Sequence, residues 1–167
     1  MTTEPPLQRA LSRDEMRLFD IPVRRLAERF RALVERDALR GAEIDLAEWR
    51  VVFCLVQDGP LRPNVLALRA VVPPRRIGRM LAGLQRRGLV ARRIDPFDRR
   101  RAVVEATERG AAVYRDLRPR IEAIADEFRA LYTDAEYVTL MKLLERSILR
   151  AEVMLGSDRA GRGAPVR

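Results

Sequence analysis

The chain has 167 residues, 47% of them hydrophobic, and a formal net charge of +9 from 33 basic and 24 acidic side chains, a size that suits one domain or one domain with a helical extension. With no histidine and a single cysteine, Cys54, it is without the means for a disulfide framework, a zinc site of the usual nitrogen and sulfur ligands, or Ser-His-Asp and Cys-His catalysis. No apolar run reaches the ~18 residues of a membrane span, and the start, with Glu4, Pro5, Pro6 and Gln8, is unlike a secretory signal, so the expectation is a cytoplasmic protein, neither an enzyme nor a cofactor carrier.

Ser12 followed three residues later by Glu15 has the spacing of a capping box at a helix start. Met16, Phe19, Val23, Leu26, Phe30, Leu33 and Val34 then recur at helical spacing. Pro22 interrupts them: either one long helix kinks there, or a second helix begins with Pro22 in its first turn. Gly41 ends the segment. Asp45 is placed to cap the next helix, which carries Leu46, Trp49, Val52, Phe53 and Val56 on its inner side and stops at Asp58-Gly59-Pro60. A short helix from about Arg62 to Ala70 tolerates Pro63 in its first turn. Pro73-Pro74 opens another that runs to Arg87, with Ile77, Met80, Leu81 and Leu84 facing inward and Gly88 as its left-handed stop.

The period then changes. Leu89–Ile94 and Ala102–Ala106 have the composition of two short strands, joined by Asp95-Pro96-Phe97-Asp98-Arg99-Arg100-Arg101, a turn with a cationic tip. Thr107 and Glu108 start a long helix with Val113, Leu117, Ile121, Ile124 and Phe128 along one face and a kink expected at Pro119. Thr133 and Glu136 form another capping box, ahead of a last helix bearing Val138, Met141, Leu144, Ile148 and Met154. From Gly156 the tail is small, polar and basic.

Charge is uneven along these elements. The stretch from Gly59 to Val104 holds twelve arginines and only two acids, Asp95 and Asp98, so it alone accounts for the whole net charge. Between Gly59 and Ile94 there are nine arginines and no acid. Lysine occurs once, at Lys142, so arginine is this chain's habitual cation; that habit does not explain the missing acids. A cationic module in an otherwise balanced chain is the electrostatic footprint of a polyanion-binding surface.

Two helices, a turn, a further helix and a basic hairpin make a winged helix-turn-helix. Leu46-Ala47-Glu48-Trp49-Arg50-Val51, Leu84-Gln85-Arg86-Arg87-Gly88-Leu89-Val90, and Asp95-Pro96-Phe97-Asp98-Arg99-Arg100 leading to Thr107-Glu108-Arg109-Gly110 resemble the multiple-antibiotic-resistance regulator (MarR) family of bacterial transcription factors. That resemblance implies a mainly α fold with a small two- to three-stranded β wing, the winged helix-turn-helix flanked by N- and C-terminal dimerisation helices. The expected organisation is a disordered segment 1–11, an N-terminal dimerisation helix region 12–40, a DNA-binding lobe 41–106, C-terminal dimerisation helices 107–155 and a disordered tail 156–167. The implied function is a homodimeric repressor on a pseudo-palindromic operator in double-stranded DNA, released by a small, often phenolic, effector.

Position assigns roles within that frame. Arg75, Arg76 and Arg79 fall in the first half of the recognition helix, where arginine reads guanine O6 and N7. Arg62, Asn64 and Arg69 suit phosphate contacts that set register. Arg99 and Arg101 are placed to enter the minor groove, while Asp98 and Arg100 are read as an ion pair shaping the wing. The helix opens on Pro73-Pro74 where relatives have polar residues, Gly78 stands where Ser or Thr is common, and Gly83 follows; each glycine costs ~1 kcal/mol of helix propensity against alanine. Phe30, Trp49, Phe53 and residues of the helix after Thr107 are the expected lining of an effector pocket, with Arg50 neutralising an anionic ligand. Cys54 is a candidate redox sensor, although its neighbours Val52, Phe53, Leu55 and Val56 suit a buried, inert thiol. Two other readings stand beside this one: an architectural protein that binds DNA without sequence choice, and a protein-interaction module that kept the fold and lost DNA recognition.

Overall fold

The computed structural model describes residues 13–14, 18–94 and 102–161. Helix α1 spans Asp20–Leu33 and passes into a wider π-helical turn, Val34–Ala38. Helices α2 (Leu46–Asp58), α3 (Pro63–Arg69) and α4 (Pro74–Arg86) follow, then strands β1 (Val90–Ile94) and β2 (Ala102–Ala106), then α5 (Glu108–Arg129) and α6 (Asp134–Gly161). No described helix is long and apolar enough to cross a membrane. The chain falls into two compact units that divide within α5, at Glu122 and Ala123.

Pro22 lies in the first turn of α1, the second of the two arrangements its position allows. Ser12 and Glu15 are outside the described residues. At α2 the start is tighter than a single cap. The Asp45 carboxylate accepts the Glu48 N–H at 2.8 Å, and the Glu48 carboxylate accepts the Asp45 N–H at 3.2 Å, which satisfies two orphan donors reciprocally. Helix α2 buries Leu46, Trp49, Val51, Val52, Cys54 and Leu55, so Leu46, Trp49 and Val52 face inward as expected, whereas Phe53 is 39% exposed and Val56 is half-buried.

Helices α3 and α4 end in the same way. Val71 and Gly88 take left-handed φ values of 55° and 69°. Val71 N–H donates to Leu68 O and Val72 N–H to Ala67 O, at 3.2 and 2.9 Å; Gly88 and Leu89 N–H donate to Gln85 O and Leu84 O, both at 2.9 Å. Each is a Schellman closure that supplies donors to the last carbonyls of the helix. Glycine adopts this conformation freely at position 88, whereas β-branched Val71 is strained in it.

Strands β1 and β2 pair antiparallel, Val90 opposite Ala106 through Ile94 opposite Ala102. Leu61 adds a third, one-residue rung by exchanging both backbone hydrogen bonds with Val104, at 2.9 and 2.8 Å. Helix α2 packs on α3 and β2, and α4 on α3 and β1. Leu66, Leu81, Leu84, Leu89, Val34, Val51, Val52 and Val104 are the largest fully buried side chains of the core. Helix α5 starts on Thr107, whose hydroxyl donates to Gly88 O at 2.6 Å and accepts the Gly110 N–H at 3.0 Å. Its buried face is Gly110, Tyr114, Leu117 and Ile121, and Pro119 lies inside an unbroken helix. Val113, expected on that face, is only half-buried.

The second unit holds the Thr133/Glu136 capping box as expected: Glu136 accepts from the Thr133 N–H and hydroxyl, both at 2.8 Å. Helix α6 continues to Gly161, past the expected end at Gly156, because one glycine lowers helix propensity without forbidding the conformation.

Candidate nucleic-acid interface

Helix α4 begins without a side-chain cap. Pro73 is extended at φ −54° and ψ 134°, and Pro74 occupies the first helical position, where its missing N–H would have had no intrahelical partner in any case. Ile77, Leu81 and Leu84 are buried, which pins one side of the helix to the core. The opposite side presents Arg75, Arg79, Ala82 and Arg86, all exposed. Arg75, Arg76 and Arg79 also line a concavity with Met80, Gly83 and the α2 start at Asp45 and Glu48.

Four arginines elsewhere, Arg69, Arg87, Arg93 and Arg109, are held by acids. Arg69, expected on phosphate, forms a two-pronged pair with Asp58 at 3.0 and 3.1 Å. Arg93 pairs with Glu105 at 2.7 Å and Arg109 with Glu43 at 2.9 Å. Arg87 donates to Glu48 Oε1 at 2.5 Å, to Gly83 O at 3.3 Å and to the Glu43 carbonyl, so it ties the end of α4 to the start of α2. By contrast Arg75, Arg76, Arg79 and Arg86 on α4, and Arg92 on β1, have no ion pair among the described residues. Arg62 stands half-buried at the position before α3, with no side-chain cap to the helix, and already has an interaction within the protein; Asn64 is exposed on the same helix. Asp98, Arg99, Arg100 and Arg101 lie outside the described residues.

Sequence reasoning missed Arg87 as a brace, and Arg86 and Arg92 as cations without an ion pair among the described residues. It also missed Tyr114, which completes an aromatic cluster on α2 and α5: ring centroids are 5.5 Å apart for Trp49–Phe53, 5.7 Å for Trp49–Tyr114 and 6.0 Å for Phe53–Tyr114. Gln57 donates to the Tyr114 hydroxyl at 3.2 Å, and the Arg118 guanidinium sits 6.0 Å from the Tyr114 ring centre. The signal for Tyr114 was its spacing from Leu117 and Ile121, three and seven residues on. Phe30 is half-buried on α1. Beside the cluster, Trp49 Nε1 and Arg50 Nε are buried with no hydrogen-bond partner among the described residues, and such unmet donors cost ~1–3 kcal/mol each.

Cys54 is 4% exposed. Burial first, then the nearby Asp58 carboxylate, pushes its thiol pKa up, away from the thiolate that a peroxide sensor needs. Its surroundings therefore oppose the redox role.

A family model described as the MarR family matches residues 44–102. The chain is 30% identical over 118 residues to an HTH-type transcriptional regulator of Mycobacterium bovis, which spans 69% of this chain and 76% of that protein. It is 29% identical over 119 residues to the homoprotocatechuate degradative operon repressor of Escherichia coli, over 71% of this chain and 77% of the repressor. The crystal structure of a MarR-family transcriptional regulator from Silicibacter pomeroyi matches with a TM-score of 0.70 at 26% identity, over 79% of this chain and 88% of that one.

Proposed function

This chain belongs to the MarR family of transcriptional regulators, and from that membership we propose that it is a homodimeric repressor that binds a pseudo-palindromic operator and is released by a small aromatic or anionic ligand. The observation that carries the DNA-binding surface is the free arginine set of α4. In a lobe where Arg69, Arg87, Arg93 and Arg109 are all held by acids, Arg75, Arg76 and Arg79 project outward from a helix whose other side is buried. A guanidinium left without a carboxylate keeps its donors for guanine edges and phosphate oxygens. The acid-free charge run is consistent with the same surface.

Dimerisation is the outlet for apolar surface at both ends of the chain. Leu18, Phe19, Val23 and Leu26 around α1 are exposed, and so are Val138, Met141, Ile148, Leu149, Val153 and Met154 on α6. A two-fold dimer places its recognition helices on half-sites about one helical turn apart, ~10 bp or a small multiple.

For the ligand, Trp49, Phe53 and Tyr114 supply aromatic walls, and the unmet Trp49 Nε1 and Arg50 Nε donors supply a reason for an acceptor to enter. The Escherichia coli relative is named for repression of an operon that degrades homoprotocatechuate, an aromatic acid, which agrees with that chemistry.

The test is binding to DNA from upstream of the chain's own gene, beside a scrambled duplex, by fluorescence anisotropy at two salt concentrations. A preference of ~10³-fold with a steep salt slope supports a specific regulator. Equal binding to both duplexes supports the architectural alternative, and no binding at low salt supports the protein-interaction one. Aromatic carboxylates should then displace wild-type protein from the preferred duplex and fail to displace Arg50→Met.

A further inference from the structure

Gly78 has no reason within this protein to be glycine. It lies in the interior of α4, its φ is not left-handed, and a Cβ built on it would meet nothing within 4 Å. Alanine there would raise helix propensity without disturbing any neighbour. Gly110 is the opposite case, since its Cβ would lie 2.0 Å from Leu89 O. Intramolecular packing thus leaves the bare backbone at Gly78 open to close approach by something outside the chain. Gly78 sits three residues after Arg75 and one before Arg79, on the exposed part of α4.

We propose that Gly78 is a specificity-determining position, where the α4 backbone lies against the groove wall of bound DNA. The inference rests on the DNA-binding function argued above. A side chain at 78 would lift the helix by about the radius of a methyl group and lengthen the contacts of Arg75 and Arg79. Guanidinium–base contacts depend steeply on distance and angle, so the displacement falls on the residues that discriminate between sequences.

The scrambled duplex provides the control, because Gly83, the other glycine of α4, lines the concavity with Arg75, Arg76 and Arg79. The experiment uses the full-length wild type to select duplexes from random-sequence DNA, then measures the melting temperature of Gly78→Ala and its affinity for the selected and the scrambled duplex at one salt concentration. The expected result is that Gly78→Ala melts higher than wild type yet loses affinity for the selected duplex by roughly tenfold. Its affinity for the scrambled duplex should change much less. Unchanged affinity of Gly78→Ala for the selected duplex overturns the proposal. Equal loss on both duplexes also overturns it, because a general change in α4 and not a groove contact would then be responsible. Failure of the wild type to enrich any sequence would instead remove the sequence-specific reading on which the proposal stands.

Discussion

The central lobe and the C-terminal helix solve the problem of apolar surface in different ways. Between Val34 and Ile121 the chain buries two dozen apolar side chains, several with no exposure at all, and its ends are fastened by caps, a three-rung sheet and the Arg87–Glu48 pair. Helix α6 is of similar regularity, with a good capping box at its start, yet no side chain described on it is buried. A helix so apolar and so exposed is stable when something covers it. The difference teaches that the lobe covers its own apolar surface, whereas α6 leaves its apolar residues uncovered, on the face proposed above for the dimer.

The sharpest way to break the lobe is at Gly110. Its Cβ would come within 2.0 Å of Leu89 O, which is backbone and cannot swing aside. Gly110→Ala should cost ~3 kcal/mol, as overpacking of a rigid site does, seen as a lower urea midpoint at unchanged slope. A loss below ~1 kcal/mol would mean that the α5 start moves more freely than its Thr107 bonds suggest.

On the other side of the comparison, Met141→Glu with Ile148→Glu puts two charges on the open face of α6. Sedimentation should show a dimer for wild type and a monomer for the variant, with far-ultraviolet signal from the lobe retained. Persistence of the dimer would remove this face from the interface. If α6 is half of an interface, operator affinity should fall with the dimer, since two half-sites are then no longer linked.

Within the lobe, paired and unpaired arginines make a finer comparison. Arg79→Ala should weaken binding to a selected duplex by ~1–3 kcal/mol and relax its sequence preference. Arg69→Ala should leave DNA affinity near wild type, because that guanidinium already faces Asp58, and should lower stability by less than ~1 kcal/mol, as half-exposed pairs do. Reversed ranks in the DNA assay would reassign the interface to α3.

At the two Schellman closures the chain offers its own control. Gly88 is relaxed; Val71, with φ 55° and 72% exposure, holds a left-handed conformation with no packing to compensate it. Val71→Gly should raise stability by ~1 kcal/mol, whereas Gly88→Val should lower it by at least as much. Thermal melts of both variants decide the point.

These contrasts also separate what the residues announce from what only the fold reveals. Asp45, Pro63, Pro74, Gly88 and Thr133 mark helix ends through local chemistry, and each does so in the structure. Pairings between distant residues leave no such mark. Arg69 reaches Asp58 eleven residues away, and Arg87 reaches Glu48 across thirty-nine, so a charge run alone could not tell held arginines from free ones. Periodicity was an incomplete guide at α2, where Val51, Cys54 and Leu55 are buried beside the expected Leu46, Trp49 and Val52, because a helix surrounded on several sides has no single inner stripe. Val71 was invisible for another reason: valine is the last residue expected at a left-handed stop.

The smallest expected effect lies at the start of α6. The Thr133 backbone N–H, and then its hydroxyl, hold the Glu136 carboxyl below the usual glutamate pKa. A carboxyl whose pKa is lower folded than unfolded stabilises the fold when ionised, so the contribution is complete above the unfolded glutamate value, ~4.3, and disappears as pH falls through the lower folded one. Glu136→Gln should therefore be slightly less stable than wild type at neutral pH, and the gap should narrow as the buffer is taken to the acid side of that range. A gap of constant size would mean that the amide and the carboxylate cap equally well. Because the capping box lies outside the lobe, the change should also leave DNA affinity measured at saturating dimer concentration untouched, which separates the helix proposed to close the dimer from the surface proposed to read DNA.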